Sequence, residues 1–136
     1  MRTFRAVLAA FVAALLVSSA LATGASAGSL PKRIIDEVPP GDKQVSYNAF
    51  KLKGTVSEPQ ADGTLLPYAE QKVKILKKAC GSCKWKTVKK VKTDERGVFK
   101  TRIYAPSKGR WKWRSKVDNS NGYGNTKGKV WTLYFR

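Results

Sequence analysis

Apolar and polar side chains alternate along most of the second half of this 136-residue chain. Residues 110–117 show the pattern most clearly: Trp111, Trp113 and Val117 share one phase, and basic residues fill the other. A period of two places successive side chains on opposite faces of a β-strand. This run therefore predicts a strand with one buried face and one basic face.

Five other runs also predict strands, and they cover residues 49–57, 72–79, 84–93, 98–104 and 129–136. In the first of them Gly54 falls in the inward phase, which indicates a bulge or a close neighbour. In the third, the apolar side chains of Trp85, Val88 and Val91 are three positions apart. A short helix also fits that spacing, but the β-branched residues and the flanking turns favour a strand. Such a strand either carries a bulge or contributes to both faces.

Turn-forming residues separate these runs, at residues 58–67, 80–83, 94–97, 106–109 and 118–128. Gly97 ends the third of these segments, where a tight turn between strands needs a residue with positive φ. Residues 72–104 thus predict a three-stranded meander on which the rest of the chain packs. The pattern has no helical period, so the predicted fold class is all-β, an antiparallel β-sandwich.

Several of these segments resemble one group of known domains. They are a first strand with the letters GTV, the strand KVKIL from Lys72, Trp85 after the first hairpin, the turn TDERGVF from Thr93 and the strand WKWR from Trp111. In these features the chain from Phe50 to Arg136 resembles small bacterial immunoglobulin-like or transthyretin-like domains. The resemblance implies an immunoglobulin-like β-sandwich of about seven strands, a fold that hosts many functions.

The N-terminus, residues 1–27, has the three parts of a secretory signal peptide. Arg2 and Arg5 precede an apolar run over residues 6–22, and small residues at 25–27 form a cleavage site. A membrane anchor is the alternative, but the run is close to the shortest that spans a bilayer and the cleavage site follows at once. We expect a secreted, extracellular protein, free or associated with the cell surface, with no transmembrane segment in the mature chain.

Residues 28–48 are rich in proline and have no regular period, which predicts an extended arm or linker. Ile34, Ile35 and Val38 would allow this arm to dock on the domain as an edge segment. Residues 49–136 then form the immunoglobulin-like domain.

The chain carries 27 Lys and Arg against 9 Asp and Glu, a formal net charge of +18. Such a charge points to anionic partners. They include a cell-wall polymer, an acidic polysaccharide, anionic lipid headgroups, and nucleic acid bound without specificity. The alternatives are that the partner is another protein, or that the charge only keeps a secreted protein soluble.

Cys80 and Cys83 are the only cysteines, and they enclose Gly81 and Ser82 at the first predicted hairpin. A redox CxxC pair lies at a helix N-terminus, and no helix is predicted here. A closed zinc site needs more ligands than this motif supplies. Since a β-turn brings its ends within disulfide range, we predict a structural disulfide in an exported protein.

The chain has no histidine, which excludes Ser–His and Cys–His nucleophile pairs and histidine metal ligands. Its few carboxylates include Asp94 and Glu95 in a turn and Asp36 and Glu37 in the arm, and adjacent residues of this kind flank a cleft poorly. We expect no enzymatic activity, no cofactor and no metal site.

The candidate binding residues are basic side chains on predicted strands or near the first hairpin, together with two aromatic residues. Trp85, next to the hairpin tip, and Tyr123, in the loop 118–128, are expected to be exposed and able to stack on rings. Trp111 and Trp113 are expected in the core. The candidate set is Lys72, Lys74, Lys84, Trp85, Lys86, Lys112, Arg114, Lys116 and Tyr123.

These features favour a secreted, non-enzymatic, cationic binding module that associates with an anionic polymer of the cell envelope or the extracellular space. Two alternatives stay open. One is a structural or protein-interaction module that uses an edge strand. The other is a cationic antimicrobial or toxin-like protein that acts on anionic membranes.

Overall fold

The computed structural model describes residues 28–38, 49–104 and 107–135. The predicted leader and residues 39–48 of the predicted arm lie outside the described residues. The part of the chain that is described contains no helix, and hence none long and apolar enough to span a membrane. Its nine strands are β1 (Ile34–Val38), β2 (Ala49–Pro59), β3 (Leu65–Pro67), β4 (Lys72–Lys78), β5 (Lys86–Lys92), β6 (Val98–Tyr104), β7 (Gly109–Val117), β8 (Thr126–Lys127) and β9 (Trp131–Phe135).

Two antiparallel sheets contain these strands. In the first sheet β2 is central, with β1 along one edge and with β6 and β3 along the other. In the second sheet β4 lies between β5 and β7, while β8 and β9 pair with opposite ends of the remaining edge of β7. This architecture confirms the all-β, antiparallel prediction and is consistent with a β-sandwich. The predicted three-stranded meander over residues 72–104 is wrong, because β6 crosses to the first sheet and pairs with β2, while only β4 and β5 pair as a hairpin. The described residues form more strands than the sequence predicted.

Residues from both sheets form one hydrophobic core. The predicted alternation is confirmed in β2, β4, β6 and β7, where most inward residues are buried. Within the core Phe50, Trp113 and Phe135 pack against one another, with ring centroids 6.0–6.5 Å apart. Trp113 is buried as predicted, whereas Trp111 is half-buried and packs against the core.

The predicted bulge lies in β5. Ile75 of β4 pairs with Lys89, and the next residue, Leu76, pairs with Thr87, so Val88 has no opposite residue. The extra residue explains why the apolar positions of this segment are three apart instead of two. The segment is therefore a strand, as predicted, and not a helix.

Two glycines occupy the places that the sequence suggested. Gly54 lies so close to the ring of Phe99 that a Cβ atom there would approach the ring carbon Cζ to 2.5 Å. Gly97 has φ of 73° in the turn between β5 and β6. In the same turn the Asp94 carboxylate accepts the N–H groups of Arg96 and Val98 at 2.9 Å.

The boundaries of three segments differ from the prediction. Residues 58–67 are not all loop, because β2 continues to Pro59 and pairs with β3 in a hairpin. The predicted loop 118–128 contains β8, which pairs with the end of β7. The last strand begins at Trp131 and not at residue 129. In each case the observed boundary is the point at which pairing with a neighbouring strand begins or ends. Part of the predicted turn 106–109 lies outside the described residues.

The N-terminal arm contributes an edge strand, because β1 pairs with β2 along its whole length. Its side chains face differently from the expectation based on its apolar residues. Ile35 packs against the core, but Ile34 and Val38 are exposed. The buried positions on either side of Ile35 belong to Arg33 and Glu37. The register of β1 on β2 therefore turns two charged residues inward.

Arg33 is 3 % exposed, and each nitrogen of its guanidinium group donates a hydrogen bond. Its Nε donates to Glu58 Oε1 at 2.8 Å, and one Nη donates to the carbonyl oxygen of Ser120 at 2.9 Å. The guanidinium carbon lies 4.4 Å from the ring centroid of Tyr68 and 4.9 Å from that of Tyr123. Arg33 thus joins the arm to the end of β2 and to the loop after β7.

Glu37 completes the hydrogen bonding of β7. β8 and β9 pair with the two ends of that strand and leave Arg114 and Ser115 between them. Glu37 Oε1 accepts the N–H of Ser115 at 3.2 Å, and Oε2 accepts the indole N–H of Trp131 at 2.7 Å. The carboxylate therefore ties the first sheet to the second.

The two cysteines are within disulfide distance, as predicted, with Cα atoms 5.0 Å apart. They close the turn between β4 and β5, at the tip of the first hairpin. Residues 79–82 of this tip are exposed. The disulfide therefore holds a segment that little packing supports.

Candidate functional site

A row of four lysines crosses the outer face of the second sheet. Lys74 of β4 lies directly opposite Lys90 of β5 on one side and Lys116 of β7 on the other, and Lys116 lies opposite Lys127 of β8. Because neighbouring strands are about 4.8 Å apart, the row spans about 14 Å. We call these four residues the lysine row.

Further cations flank the lysine row on the same face. Lys72 lies opposite Lys92, and Lys78 lies opposite Lys112. Like charges in directly opposed positions of a sheet destabilise it, by about 0.2–1 kcal/mol for a pair. The outer face of the second sheet therefore concentrates positive charge in an arrangement that does not stabilise the fold.

Few acids oppose this charge among the described residues. The Asp118 carboxylate bridges Lys74 and Lys116, with its second oxygen 2.9 Å from the Lys116 ammonium. Hydrogen bonds from these two ammonium groups, Lys74 first, hold the pKa of Asp118 below its usual range. Glu70 pairs with Lys92 at the edge of the face. In the described part of the chain, these are the ion pairs that involve this face.

Trp85 lies against the same face. The guanidinium carbon of Arg114 is 4.3 Å from its ring centroid, and the ammonium nitrogen of Lys78 is 5.0 Å away. Leu76, which lies opposite Arg114, is buried although its phase faces outward. Trp85 is half-buried and not the exposed ring that its place next to the hairpin tip suggested. Cations already occupy positions over its ring.

The structure divides the predicted candidates among three places. Six of them share the outer face of the second sheet: Lys72, Lys74, Trp85, Lys112, Arg114 and Lys116. Lys84 and Lys86 lie at the hairpin end of that sheet, and Tyr123 lies in the loop at the opposite end. The candidates thus do not form one continuous site.

Tyr123 is half-buried and not the exposed ring that the loop composition suggested. Its hydroxyl donates to the carbonyl oxygen of Pro59 at 2.8 Å and accepts from Gln60 Nε2 at 3.0 Å. Arg33 lies against its ring. These contacts give Tyr123 a structural role in holding the loop after β7 against the first sheet.

Four lysines of the face were not among the predicted candidates: Lys78, Lys90, Lys92 and Lys127. The bulge at Val88 shifts the phase of β5, so the sequence did not show which lysines of that strand face outward. Lys127 joins the face only because β8 pairs with the end of β7. For β5, the sequence showed only that Lys90 and Lys92, two positions apart, lie on the same face of the strand; it did not show which face that is.

The outer face of the first sheet is different. Lys51 lies opposite Arg102 and Lys53 opposite Lys100, so four cations cluster at one end. The exposed apolar residues of this sheet include Ile34, Val38, Leu65 and Tyr104. Positive charge is therefore mixed with apolar surface on this face, whereas it continues across four strands on the other.

Comparisons with protein-family models, with curated proteins and with solved structures found no match for this chain.

Proposed function

We propose that this protein is a secreted, non-enzymatic binding module that associates with an anionic polymer of the cell envelope or extracellular space through the outer face of its second sheet. The lysine row is the observation that carries this proposal. Four lysines in directly opposed positions repel one another in the free protein. A polyanion laid along the row replaces that repulsion with attraction and releases its own counterions.

The scarcity of acids on this face supports the same function. A surface that served only solubility would tolerate acids and bases interspersed, and that arrangement would also stabilise the sheet. Here Asp118 and Glu70 are the acids that pair with the face among the described residues. The remaining cations are available to a ligand.

We propose that the fold is immunoglobulin-like. In the letters used for that fold, β1, β2 and β6 take the places of strands A, B and E, and β5, β4, β7 and β9 those of C′, C, F and G. The observed order of pairing supports this assignment. Secretion rests on the signal-peptide pattern of residues 1–27 and fits a disulfide that an oxidising compartment would maintain.

Charge-matched variants of the two outer faces test the proposal. The first variant replaces the lysine row, Lys74, Lys90, Lys116 and Lys127, with glutamine. The second replaces Lys51, Lys53, Lys100 and Arg102 on the first sheet with glutamine, so both lose the same net charge. Binding of a polyuronate and of a single-stranded oligonucleotide is measured by fluorescence anisotropy at 50 and 200 mM salt, about the range over which phosphate contacts weaken strongly.

We expect the lysine-row variant to lose at least about tenfold in affinity at low salt, with a salt slope less steep by about 0.7 for each lost phosphate contact. The variant of the first sheet should lose much less. Equal losses would mean that net charge alone attracts the polymer, and affinity that does not change with salt would refute the electrostatic proposal. Leakage of anionic vesicles without polymer binding would favour the membrane-active alternative.

A further inference from the structure

A second basic feature lies at the hairpin end of the molecule, away from the lysine row. It is an open pocket with a volume of about 430 Å³. Its walls are formed by Lys77, Lys78, Ala79, Cys83, Lys84, Lys86 and Trp111. Pockets of about 300–1,000 Å³ are the usual size for small-molecule ligands. This pocket has room for one ring-sized ligand.

Trp111 provides the apolar wall of the pocket. The ring is half-buried, and its indole N–H donates to the carbonyl oxygen of Ser107 at 3.1 Å, which fixes its orientation. The Lys77 ammonium lies 5.2 Å from the ring centroid. One side chain therefore supplies an apolar surface and holds a cation beside it.

Three ammonium groups surround that wall, on Lys77, Lys84 and Lys86. Within the described ranges none of the three forms an ion pair with an acid. The fourth lysine of the pocket, Lys78, differs, because its ammonium donates to the carbonyl oxygen of Gly81 at 2.5 Å and lies over Trp85. The pocket thus combines one aromatic wall with several hydrogen-bond donors of positive charge.

We propose that this pocket binds a single pyranose-sized sugar that carries an acidic group. A sugar ring has an apolar face of C–H groups and a rim of hydroxyls, which match an aromatic wall beside lysine donors. The carboxylate or phosphate of the sugar would lie among Lys77, Lys84 and Lys86, where it neutralises their mutual repulsion. This proposal does not depend on polymer binding by the lysine row, because the two sites share no residue.

The disulfide fixes the side of the pocket that the hairpin tip forms. Cys83 lines the pocket and Lys84 follows it in the chain, at a tip that is otherwise exposed. The bond to Cys80 holds both residues against the end of β4. Reduction would leave Lys84 mobile relative to Trp111, so we expect ligand binding at this pocket to require the oxidised protein.

Titration of the oxidised full chain with small sugars tests the proposal, with the indole N–H signals followed by NMR. Glucuronate and glucose 6-phosphate represent the two kinds of acidic group. Neutral glucose lacks the charge, and glycerol phosphate lacks the ring. We expect saturable shifts of the Trp111 indole signal with one or both acidic sugars, and affinity weaker by at least about tenfold, 1.4 kcal/mol, for glucose and glycerol phosphate.

Two double variants separate this pocket from the sheet face. Lys84→Gln with Lys86→Gln changes exposed residues of the pocket and should abolish saturation at Trp111. Lys90→Gln with Lys127→Gln removes the same charge from the lysine row and should leave sugar binding unchanged. Reduction of the disulfide should weaken sugar binding in the wild-type chain.

The proposal is overturned if no acidic sugar shifts the Trp111 signal, or if both double variants weaken binding equally. Equal affinity for benzoate would also overturn it, because a planar aromatic acid would then satisfy the pocket without a sugar ring. The two proposals fail separately. Undiminished polymer binding by the lysine-row variant would refute the polymer proposal alone, and absence of sugar binding by the wild-type chain would refute the pocket proposal alone.

Discussion

Charged residues occupy two contrasting environments in this protein. Arg33 and Glu37 of the N-terminal arm are buried, and their charged groups have specific partners on both sheets. The lysines of the row are on the surface, and among the described residues only Asp118 forms ion pairs with them. The buried charges hold the sheets together, while the surface charges repel their neighbours.

This contrast separates stability from binding. A buried charge without its partner is strongly unfavourable, so the arm depends on the complete Arg33 and Glu37 networks. A surface lysine contributes little to stability, and one that lies opposite another lysine contributes negatively. Substitutions of the buried charges should therefore affect folding, and substitutions of the surface lysines should affect ligand affinity.

Arg33→Met should lower the free energy of unfolding by about 3–5 kcal/mol, because it leaves the partly buried Glu58 carboxylate without its cation. Arg102→Met is the matched control, since it removes the same charge and stem from an exposed position. It should change stability by less than about 0.5 kcal/mol. Urea unfolding followed by tryptophan fluorescence measures both. Similar urea midpoints for the two variants would show that buried and surface charges do not differ in their contribution to stability.

Replacing both Cys80 and Cys83 with serine should cost about 2 kcal/mol, the loop-entropy value for so short a ring. The tip of the hairpin has no buried charge network like that of the arm, so the disulfide is its main constraint. Thermal unfolding measures the loss, and polymer affinity at the lysine row should be unchanged at temperatures where the protein is folded. Unfolding at ambient temperature would show that the disulfide supports much more than the tip.

Asp118→Asn should strengthen polymer binding several-fold and make its salt dependence steeper. The substitution frees the ammonium groups of Lys74 and Lys116, which the carboxylate otherwise neutralises. Stability should fall slightly, because the two lysines then face each other without a counter-charge. Anisotropy titrations at two salt concentrations and a thermal melt measure both effects. Weaker binding would mean that Asp118 positions the lysines for the ligand.

Acidification should cause a small loss of stability through Asp94. The N–H of Val98, and then that of Arg96, donate to its carboxylate and hold its pKa below the ordinary value of 3.8. The folded pKa is the lower one, so this contribution is present above the unfolded pKa and is lost as the pH falls through the folded pKa.

Asp94→Asn keeps an oxygen acceptor in the turn without the charge, which makes it the control for the pH effect. The melting temperature of this variant should fall less than that of the wild-type chain between about pH 5 and pH 2. Parallel pH dependence in both proteins would assign the acid sensitivity to other carboxylates.

Much of the fold could be predicted from local sequence. The two-residue period assigned Val73, Ile75, Phe99 and Val117 to the inward face, and all four are buried. Gly97 marked its turn because only a residue that tolerates positive φ fits there. The three-residue spacing in β5 indicated the bulge. These features depend on a residue and its near neighbours in the chain, so the sequence contains the information.

The candidate site was predicted only in part. The alternation placed Lys74, Lys112, Arg114 and Lys116 at outward positions of β4 and β7, and the pairing of these two strands makes them neighbours on one face. The complete lysine row required the register of β5 after its bulge and the pairing of β8. Neither can be derived from alternation, because a shift of one residue moves every side chain of a strand to the other face.

The sequence by itself determined an all-β chain with basic outward positions, a disulfide at a hairpin tip and no histidine chemistry. Tertiary structure decided which charges became structural and which remained on the surface. Arg33 and Glu37 are buried because β1 pairs with β2 in a register that turns them toward partners far along the chain. Lys90, Lys74, Lys116 and Lys127 form one row because the β4–β5 hairpin aligns side by side with β7 and β8, which lie much later in the sequence. The period of a strand is local, whereas its register and neighbours depend on the whole fold.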